Sequence, residues 1–202
     1  MRRRSIVGVL GTTAATALAA TALGAGGSPG ARPAAATGAE PVYVSDLEWI
    51  SATNSWGPVE RDMSNGENQA GDGNTITLSG REYDKGLGVV PDSKVSYDLG
   101  GRYERFCSDI GIDDEVDHRG NGGSVVFRVL VDGEQRYDSD VVYGETWGTT
   151  ILPVDTRTRH VCVDVAGAQR LDLVTTPGWD GFSNDHADWA GARLCAGDCD
   201  RR

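Results

Sequence analysis

The sequence predicts an all-β fold, an antiparallel β-sandwich, from three observations. Apolar residues recur in short runs that 28 glycines interrupt, so no helical stripe of ordinary length can be drawn. Many of these runs alternate apolar and polar residues with the two-residue period of a strand. Asp132-Gly133 stands between two such runs, and this dipeptide favours two-residue hairpin turns because both positions there need a positive φ.

The candidate strands are short and lie close together between residues 42 and 195. Val125, Phe127 and Val129 occupy alternate positions of one run, as expected where one face of a strand packs on a core. Strands at this spacing, joined by turn residues, are typical of a single antiparallel domain. In chain order the candidate strands are Val42–Ile50, Thr75–Leu78, Glu82–Val90, Lys94–Leu99, Tyr103–Ile112, Ser124–Val131, Glu134–Val142, Thr149–Val154, His160–Val165, Arg170–Thr175 and Asp188–Cys195.

The N-terminus has the three parts of a secretory signal peptide. Residues 2–4 are arginines, residues 6–23 are small or apolar, and further small residues follow around Ala25. A membrane anchor is the alternative, but four threonines and three glycines within residues 6–24 make that segment only weakly apolar. We therefore expect export and a secreted, extracellular protein, with cleavage near Ala25 or as late as Ala36.

The predicted organisation has four parts: a signal peptide at residues 1–25, a flexible lead-in at 26–41, one domain at 42–195 and a C-terminal tail at 196–202. The lead-in is rich in Gly, Pro and Ala and has no periodic apolar pattern, as is typical of flexible segments. No internal repeat and no second domain are indicated.

The charge of the expected mature chain excludes some partners. Residues 1–39 hold four of the 19 basic residues and no acidic one, so removing them leaves 15 basic against 30 acidic residues, a formal net charge of −15. Nucleic acids and anionic lipids need basic patches on the protein, so we expect neither nucleic acid nor a membrane surface as a partner. A neutral ligand and a divalent cation are both compatible with this charge.

Four cysteines, an even number in a chain expected to be exported, predict two disulfides. Zinc is the alternative, but no C-x-x-C pair or histidine spacing supports it. Two pairings stay open. Neighbouring strands would join Cys107 to Cys195 and leave Cys162 for Cys199, or else Cys107 pairs with Cys162 and Cys195 with Cys199.

No catalytic signature stands out. His186 is flanked by Asp185 and Asp188, but no Gly-x-Ser-x-Gly motif marks an activated serine. The 30 acidic residues do not single out a carboxylate pair of the kind that glycoside hydrolases use, and three dispersed histidines fall short of the usual metallohydrolase sets. An enzyme is therefore not expected, and a secreted hydrolase is the least supported alternative.

Asp113, Asp114 and Glu115 follow a candidate strand and precede a Gly-rich turn. Carboxylates concentrated in a loop are the oxygen ligands that Ca²⁺ prefers, so these three residues are the candidate metal ligands. The alternative is a solvated run of charges at the end of a strand.

Two tryptophans stand in loops rich in Gly, Pro and Asp. An aromatic ring can pack on the C–H face of a pyranose while polar side chains bond its hydroxyls. Because a large apolar side chain exposed without a use is unfavourable, Trp56 and Trp179 are candidate sugar platforms, with a packed loop lid as the alternative for Trp179. Trp49 and Trp189 lie inside candidate strands and are expected in the core.

Seven short motifs follow one another along residues 42–195. They are Ser45-Asp46-Leu47-x-Trp49, Trp56-Gly57-Pro58-Val59-Glu60-Arg61-Asp62-x-Ser64, Tyr83-x-Lys85-Gly86-Leu87-Gly88-Val89, Tyr97-Asp98-Leu99, Gly111-Ile112-Asp113-Asp114-Glu115-Val116, Ser124-Val125-Val126-Phe127 and Asp185-His186-Ala187-Asp188-Trp189-Ala190. Together they resemble the NPCBM domain, the carbohydrate-binding module of family 51 that accompanies glycoside hydrolases of family 98 and others.

The resemblance implies a galactose-binding (discoidin-like) jelly-roll sandwich that recognises galactose-type or related glycans, often with a structural Ca²⁺. It implies that the first and last strands are antiparallel neighbours, which places the Trp56–Asp62 segment beside Asp185–Asp188. The alternative for this cluster is a buried polar knot that ties the two strands together. The carbohydrate-binding residues expected are Trp56, Glu60, Arg61, Asp62, Asp185 and His186, with Trp179 as a further platform.

One position departs from the pattern of the family. After Gly86–Val89 the family usually carries a histidine, and here Val90 stands in its place. If that histidine donates to the sugar, this chain has lost a donor. We expect a secreted, non-catalytic glycan-binding module, monomeric and serving a glycoside hydrolase on another chain. The alternative is a structural or protein-interaction sandwich whose sugar site has decayed.

Overall fold

Two antiparallel β-sheets lie face to face in the part of the chain that the computed structural model describes, which is residues 40–119, 122–144, 146–147, 150–151, 157–197 and 199. The predicted antiparallel β-sandwich is confirmed. No helix among the described residues is long and apolar enough to cross a membrane.

Three predicted segments fall wholly or largely outside the described residues. They are the signal peptide (1–25), the lead-in (26–41) and the C-terminal tail (196–202). Most of the predicted strand Thr149–Val154 also lies outside them.

The strands are short and are accompanied by two 3₁₀ turns, Val44–Asp46 and Asp114–Arg119. The described strands are β1 (Val42–Tyr43), β2 (Ser51–Thr53), β3 (Glu60–Arg61), β4 (Ile76–Leu78), β5 (Arg81–Tyr83), β6 (Gly86–Val89), β7 (Ser93–Asp98), β8 (Arg105–Ile112), β9 (Ser124–Val131), β10 (Glu134–Tyr143), β11 (Thr146–Trp147), β12 (Thr150–Ile151), β13 (Thr158–Asp164), β14 (Arg170–Pro177) and β15 (Ala187–Cys195).

The first sheet has the strand order β13-β8-β15-β6-β3, and β1 pairs with the far end of β15. The second sheet has the order β10-β9-β14-β7-β2, and β4-β5 and β11-β12 form separate two-stranded sheets. Val42 stands opposite Leu194, so the first and last strands are antiparallel neighbours, as the resemblance implied. The expected placement of Trp56–Asp62 directly beside Asp185–Asp188 is wrong, because β3 pairs with β6, and β6 separates it from β15.

Two predicted strands, Val42–Ile50 and Glu82–Val90, differ in the structure: only Val42–Tyr43 of the first run is a strand, with β2 beginning after Ile50, and the second run is divided. The 3₁₀ turn Val44–Asp46 separates β1 from β2, which belong to opposite sheets. The second run divides into β5, which pairs with β4, and β6, which belongs to the first sheet. In both places the chain bends to reach a different partner strand while its apolar residues continue, so the local pattern does not reveal the bend.

The predicted hairpin at Asp132-Gly133 is confirmed. Asp132 has φ of 51° and Gly133 has φ of 84°, and Glu134 pairs with Val131 directly across the turn. Both central residues adopt the left-handed conformation that a two-residue turn needs between right-twisted strands.

Trp189 lies at the centre of the core, as predicted. Its side chain is fully buried, and its ring meets Phe106 and Phe127 edge-on at centroid distances of 6.2 and 5.1 Å. Phe106 belongs to the first sheet and Phe127 to the second, so Trp189 joins the two layers. Trp49 packs against the same core and is partly buried.

Of the two disulfide pairings that the sequence left open, the structure has Cys107 with Cys162 and Cys195 with Cys199. Cys107 and Cys162 stand directly opposite each other on β8 and β13, so this disulfide links the edge strand β13 covalently to its neighbour in the first sheet. Cys199 follows the end of β15, and its bond to Cys195 closes a short loop there.

Candidate functional site

A pocket of about 560 Å³ opens where β6 ends and β15 begins. Three loops form it: the loop after β2, the loop after β3 and the loop that leads into β15. The loop after β2 and the loop into β15 both adjoin the end of β6, and the loop after β3 folds back across Gly88 of β6. Residues far apart in sequence therefore meet here. The lining residues are Ser55, Trp56, Glu67, Val90, Phe182, Ser183, Asn184 and His186.

The apolar part of the pocket comes from two exposed aromatic side chains and a buried valine. Trp56 is 60% exposed and Phe182 is 58% exposed, which is unusual for rings of this size. Val90 is 5% exposed and forms a wall beside them. The pocket therefore offers rings at its mouth and an aliphatic surface deeper in.

The polar part of the pocket is organised around His186, which is nearly buried. Its Nδ1 lies 2.6 Å from Glu115 Oε1, and its Nε2 lies 2.9 Å from Glu67 Oε1. Since each ring nitrogen faces a carboxylate oxygen, both nitrogens must donate, and the ring must carry its positive charge. Asn74 Nδ2 donates to the second oxygen of Glu115 at 2.7 Å, which fixes that carboxylate from the other side.

The electrostatics of this network agree with its geometry. Burial by itself lowers the pKa of His186, but the hydrogen bonds and charges of Glu115 and Glu67 outweigh burial and raise that pKa above its ordinary value. Burial raises the pKa of Glu115, but the bonds from His186 and Asn74 outweigh it and lower that pKa. The imidazolium and the Glu115 carboxylate therefore stabilise each other at neutral pH.

Five lining residues were assigned no role from the sequence: Ser55, Glu67, Phe182, Ser183 and Asn184. Glu67 and Asn184 have positive φ values of 71° and 62°, so each sits at a sharp local turn that presents its side chain to the pocket. The exposed aromatic ring of Phe182 in a Gly- and Asp-rich loop was a usable signal. Glu67 has no comparable signal, because its role depends on a contact with His186, 119 residues later.

The structure does not bring all of the predicted binding residues together in one pocket. Trp56 and His186 line the pocket described above, whereas Glu60 and Arg61 line a neighbouring cavity of about 640 Å³ together with Trp49. Arg61 donates to the carbonyl oxygens of Ser45 and Leu47, and its guanidinium lies 3.8 Å from the centre of the Trp49 ring. These contacts give Arg61 a role in fixing the first segment of the domain.

Glu60 and Asp62 also have protein partners. Glu60 is 2% exposed, and its Oε2 accepts a hydrogen bond from the Gly71 N–H at 2.9 Å. Asp62 binds Lys85 Nζ at 2.9 Å and the Gly86 N–H at 3.2 Å. The sugar-binding roles assigned to both residues stay predictions, and the contacts seen here hold the loops that carry Trp56 and Glu67.

Asp185 is fully buried beneath the pocket, next to His186 in sequence. Its Oδ1 accepts a hydrogen bond from the Ser124 N–H at 2.8 Å, and its Oδ2 has no hydrogen-bond partner among the described residues. Burial and the negative charge of Asp180 raise the pKa of Asp185, whereas the hydrogen bond from the Ser124 N–H and the charge of His186 lower it. Burial dominates, and the pKa of Asp185 is raised to about 7. Its predicted contact with sugar stays a prediction.

Trp179 lies in the same loop as Phe182 and is 66% exposed. Its Nε1 donates to the Tyr143 hydroxyl at 3.4 Å, which links the loop to the end of β10. The ring is available to solvent but is not one of the residues that line the His186 pocket.

The three predicted calcium ligands form a hydrogen-bonded corner. Asp113 accepts from the Thr77 and Glu115 N–H groups, Asp114 accepts from the Ser79 and Gly80 N–H groups, and Glu115 binds His186 and Asn74. Each of the six carboxylate oxygens therefore already has a donor. The three carboxylates are not among the described groups of side chains that converge closely enough to hold a metal ion. Their role as calcium ligands stays a prediction.

A second buried carboxyl group extends this corner. Burial raises the pKa of Asp188 well above its usual range, and the negative charge of Asp113 adds to the effect. Neither oxygen of Asp188 has a hydrogen-bond partner among the described residues, so the protonated, neutral form avoids an unpaired buried charge. Among the described residues, Cys107, His160 and Cys162 lie close enough together to bind a metal, but the two cysteines are joined in a disulfide.

Comparison with known proteins agrees with this fold and with the motifs. Residues 40–195 match the model of the NPCBM/NEW2 domain. The chain belongs to this family. Both sheets of the sandwich and the loops that form the pocket lie within the residues that match the NPCBM/NEW2 domain.

A curated relative has the name "Putative endo-alpha-N-acetylgalactosaminidase" and comes from Renibacterium salmoninarum. It is 38% identical to this chain over 156 residues, which are 76% of this chain and 10% of the relative. This NPCBM/NEW2 chain thus spans about one tenth of the curated relative that it matches.

Two solved structures show what similar domains bind. The CBM51 of Clostridium perfringens GH95, solved with methyl-galactose, is 36% identical with a TM-score of 0.64, and the match covers 77% of this chain and 99% of that one. The CBM51-2 and INT domains of Clostridium perfringens ZmpB, solved with GlcNAc, are 33% identical with a TM-score of 0.63, covering 77% of this chain and 31% of that one. This NPCBM/NEW2 domain therefore shares its fold with carbohydrate-binding modules.

Proposed function

We propose that this protein is a secreted, non-catalytic carbohydrate-binding module that recognises galactose-type or related glycans through the His186 pocket. One observation carries the proposal: the exposed Trp56 and Phe182 rings line one pocket with His186 and Glu67, and Glu115 binds the other nitrogen of the His186 ring. The two CBM51 modules bound to galactose and GlcNAc ligands support the same class of ligand.

The chemistry of a pyranose matches the two halves of the pocket. The C–H face of the sugar packs on an aromatic ring and leaves water, while its hydroxyls need acceptors and donors that are already held in place. Glu67 accepts, Asn184 can accept and donate, and the bond to His186 holds Glu67 in position. Preorganised groups of this kind lose little freedom when the ligand binds.

The same contacts argue against catalysis in this pocket. A glycoside hydrolase needs two carboxyl groups that flank the scissile bond, one of them free to give up a proton. Glu67 and Glu115 flank the His186 ring instead, and each is hydrogen-bonded to it. The enzyme name of the curated relative applies to a protein of which this domain is one tenth, so the domain would serve a glycoside hydrolase by holding it near its glycan.

Isothermal titration calorimetry with the domain (residues 40–202) and methyl galactoside tests the proposal, after a glycan array has been used to find the preferred ligand. Trp56→Ala removes a ring that the sugar would cover, and a loss of about tenfold or more in affinity is expected from the apolar area that stays in water. Ile50→Ala is the matched control, because Ile50 is 55% exposed and lies outside the pocket. It should leave the affinity unchanged.

A folded domain that binds no glycan would overturn the proposal and favour the alternative, a structural or protein-interaction sandwich with a decayed sugar site. In that case Val90→His, which restores the residue usual in the family, is the variant in which to look for recovered binding. Binding that survives Trp56→Ala would place the sugar elsewhere on the domain.

A further inference from the structure

Val90 forms a fixed aliphatic wall of the pocket. Its N–H donates to Asn54 Oδ1 at 2.7 Å, and its carbonyl accepts from the Ser55 N–H at 3.4 Å and the Ser55 hydroxyl at 3.3 Å. The backbone is thus held on both sides, so the side chain keeps its place beside Trp56 and Phe182. A ligand that fills this pocket therefore either places an apolar group against the Val90 side chain or leaves that side chain in contact with water, which is less favourable.

Glu67 supplies an acceptor in the same pocket. Its Oε1 is held by His186 Nε2, its side chain is 41% exposed, and no hydrogen bond from the described residues reaches its Oε2. A carboxylate fixed at one oxygen and open at the other is suited to accept an N–H or O–H of the ligand.

The charge of the pocket excludes an anionic ligand. Glu67 and Glu115 carry two negative charges against the single positive charge of His186, and neither lysine nor arginine is among the lining residues. A sugar acid or a sulfated sugar would meet like charge in a partly desolvated place. The ligand is therefore neutral, with an N–H or O–H donor close to an apolar group.

We infer that the pocket selects 2-acetamido sugars (N-acetylhexosamines) over the corresponding plain hexoses. The acetamido group carries the required pair of features, an amide N–H for Glu67 Oε2 and a methyl group for the wall of Val90, Trp56 and Phe182. A plain hexose offers a hydroxyl to Glu67 but no methyl for the wall, and a free amino sugar brings a charged ammonium against Val90. The inference rests on the proposed function and adds the class of sugar to it.

Removing one methyl group from water raises affinity by about fourfold, so a preference of about fourfold or more is expected. Calorimetry would compare methyl N-acetylgalactosaminide, methyl galactoside and methyl galactosaminide on the wild-type domain. The expected order is the acetamido sugar first, with both others weaker.

Two valine variants test whether Val90 causes the preference. Val90→Thr exchanges one methyl for a hydroxyl at nearly constant volume and should reduce the affinity ratio between acetamido sugar and plain hexose to about one or two. Val126→Thr is the matched control, because Val126 is similarly buried (9% exposed) but lies outside the pocket, and it should keep the wild-type ratio.

The outcomes separate the two proposals. Equal or tighter binding of the plain galactoside, or a ratio that Val90→Thr leaves unchanged, overturns the acetamido inference and leaves the sugar-binding function in place. If the free amino sugar binds most tightly, the acetamido inference is also overturned. That result would indicate that the aromatic rings and Glu67 bind a cationic ligand. A folded wild-type domain that binds none of the three sugars overturns the proposed function and this inference together.

Discussion

Replacing Asp185 by asparagine should stabilise the domain at neutral and alkaline pH. The carboxyl group is fully buried under the pocket, and one of its oxygens has no hydrogen-bond partner among the described residues. Asparagine keeps an oxygen to accept the Ser124 N–H, and it presents an uncharged amide where the carboxylate would be. The substitution therefore removes a buried charge without removing the bond that holds the loop.

The magnitude follows from the pKa of Asp185, about 7 in the folded protein and near the ordinary value of 3.8 in the unfolded chain. The folded state holds this proton more tightly, so the free energy of unfolding falls as the pH rises between these two values. Above pH 7 the loss reaches about 4 kcal/mol, since each tenfold difference in proton affinity is worth about 1.4 kcal/mol. The variant does not titrate there and avoids this loss.

Urea unfolding, followed by tryptophan fluorescence, measures the effect at a series of pH values from about 4 to about 8.5. The variant and the wild type should be nearly equal in stability at the acidic end, and the variant should be more stable by up to about 4 kcal/mol at the alkaline end. Asp84→Asn, at an exposed aspartate, is the control for removing a charge. A stability difference that does not change with pH, or a variant less stable at pH 8, would refute the reasoning.

Two further predictions concern the acidic corner and the exposed loop. EDTA should leave the melting temperature unchanged, because the carboxylates of Asp113, Asp114 and Glu115 do not converge on one point among the described residues; a drop that added Ca²⁺ reverses would show instead that the corner binds the ion. Trp179→Ala should weaken binding of a glycan longer than one sugar and leave a single methyl glycoside unaffected, because Trp179 is exposed near the end of β10 and does not line the pocket. Calorimetry with a monosaccharide and an oligosaccharide checks this, and an equal loss for both would contradict it.

Strands with strict alternation could be predicted well from the sequence. The predicted strand Ser124–Val131 has the observed bounds, and Asp132-Gly133 forms the expected turn. The bend at Val44–Asp46 could not be predicted, because the choice between two sheets is made by partner strands far away in the chain. Local sequence contains the period of a strand but not its partner.

The candidate site was predictable only in part for a related reason. Trp56 and His186 belong to motifs, and the pairing of β15 with β6 brings their loops together. From the sequence, Arg61 is a candidate hydrogen-bond donor to a sugar, but in the structure its guanidinium lies over the Trp49 ring. Glu67 is a polar, half-buried residue in a loop without a recognisable motif, and its orientation depends on a bond to a residue 119 positions away.

The pairing of β1 with the end of β15 determines how the domain can be tethered. Val42 and Leu194 are opposite each other, so the polypeptide enters and leaves the sandwich at neighbouring points. His186 directly precedes β15 and Leu194 lies eight residues later, near the other end of that strand; β15 bulges between Ala190 and Arg193, so the two residues are at most about 26 Å apart. The points where the described chain enters β1 and leaves β15 therefore lie away from the pocket. Under the proposed function, a domain joined there would leave the mouth of the pocket accessible to a glycan.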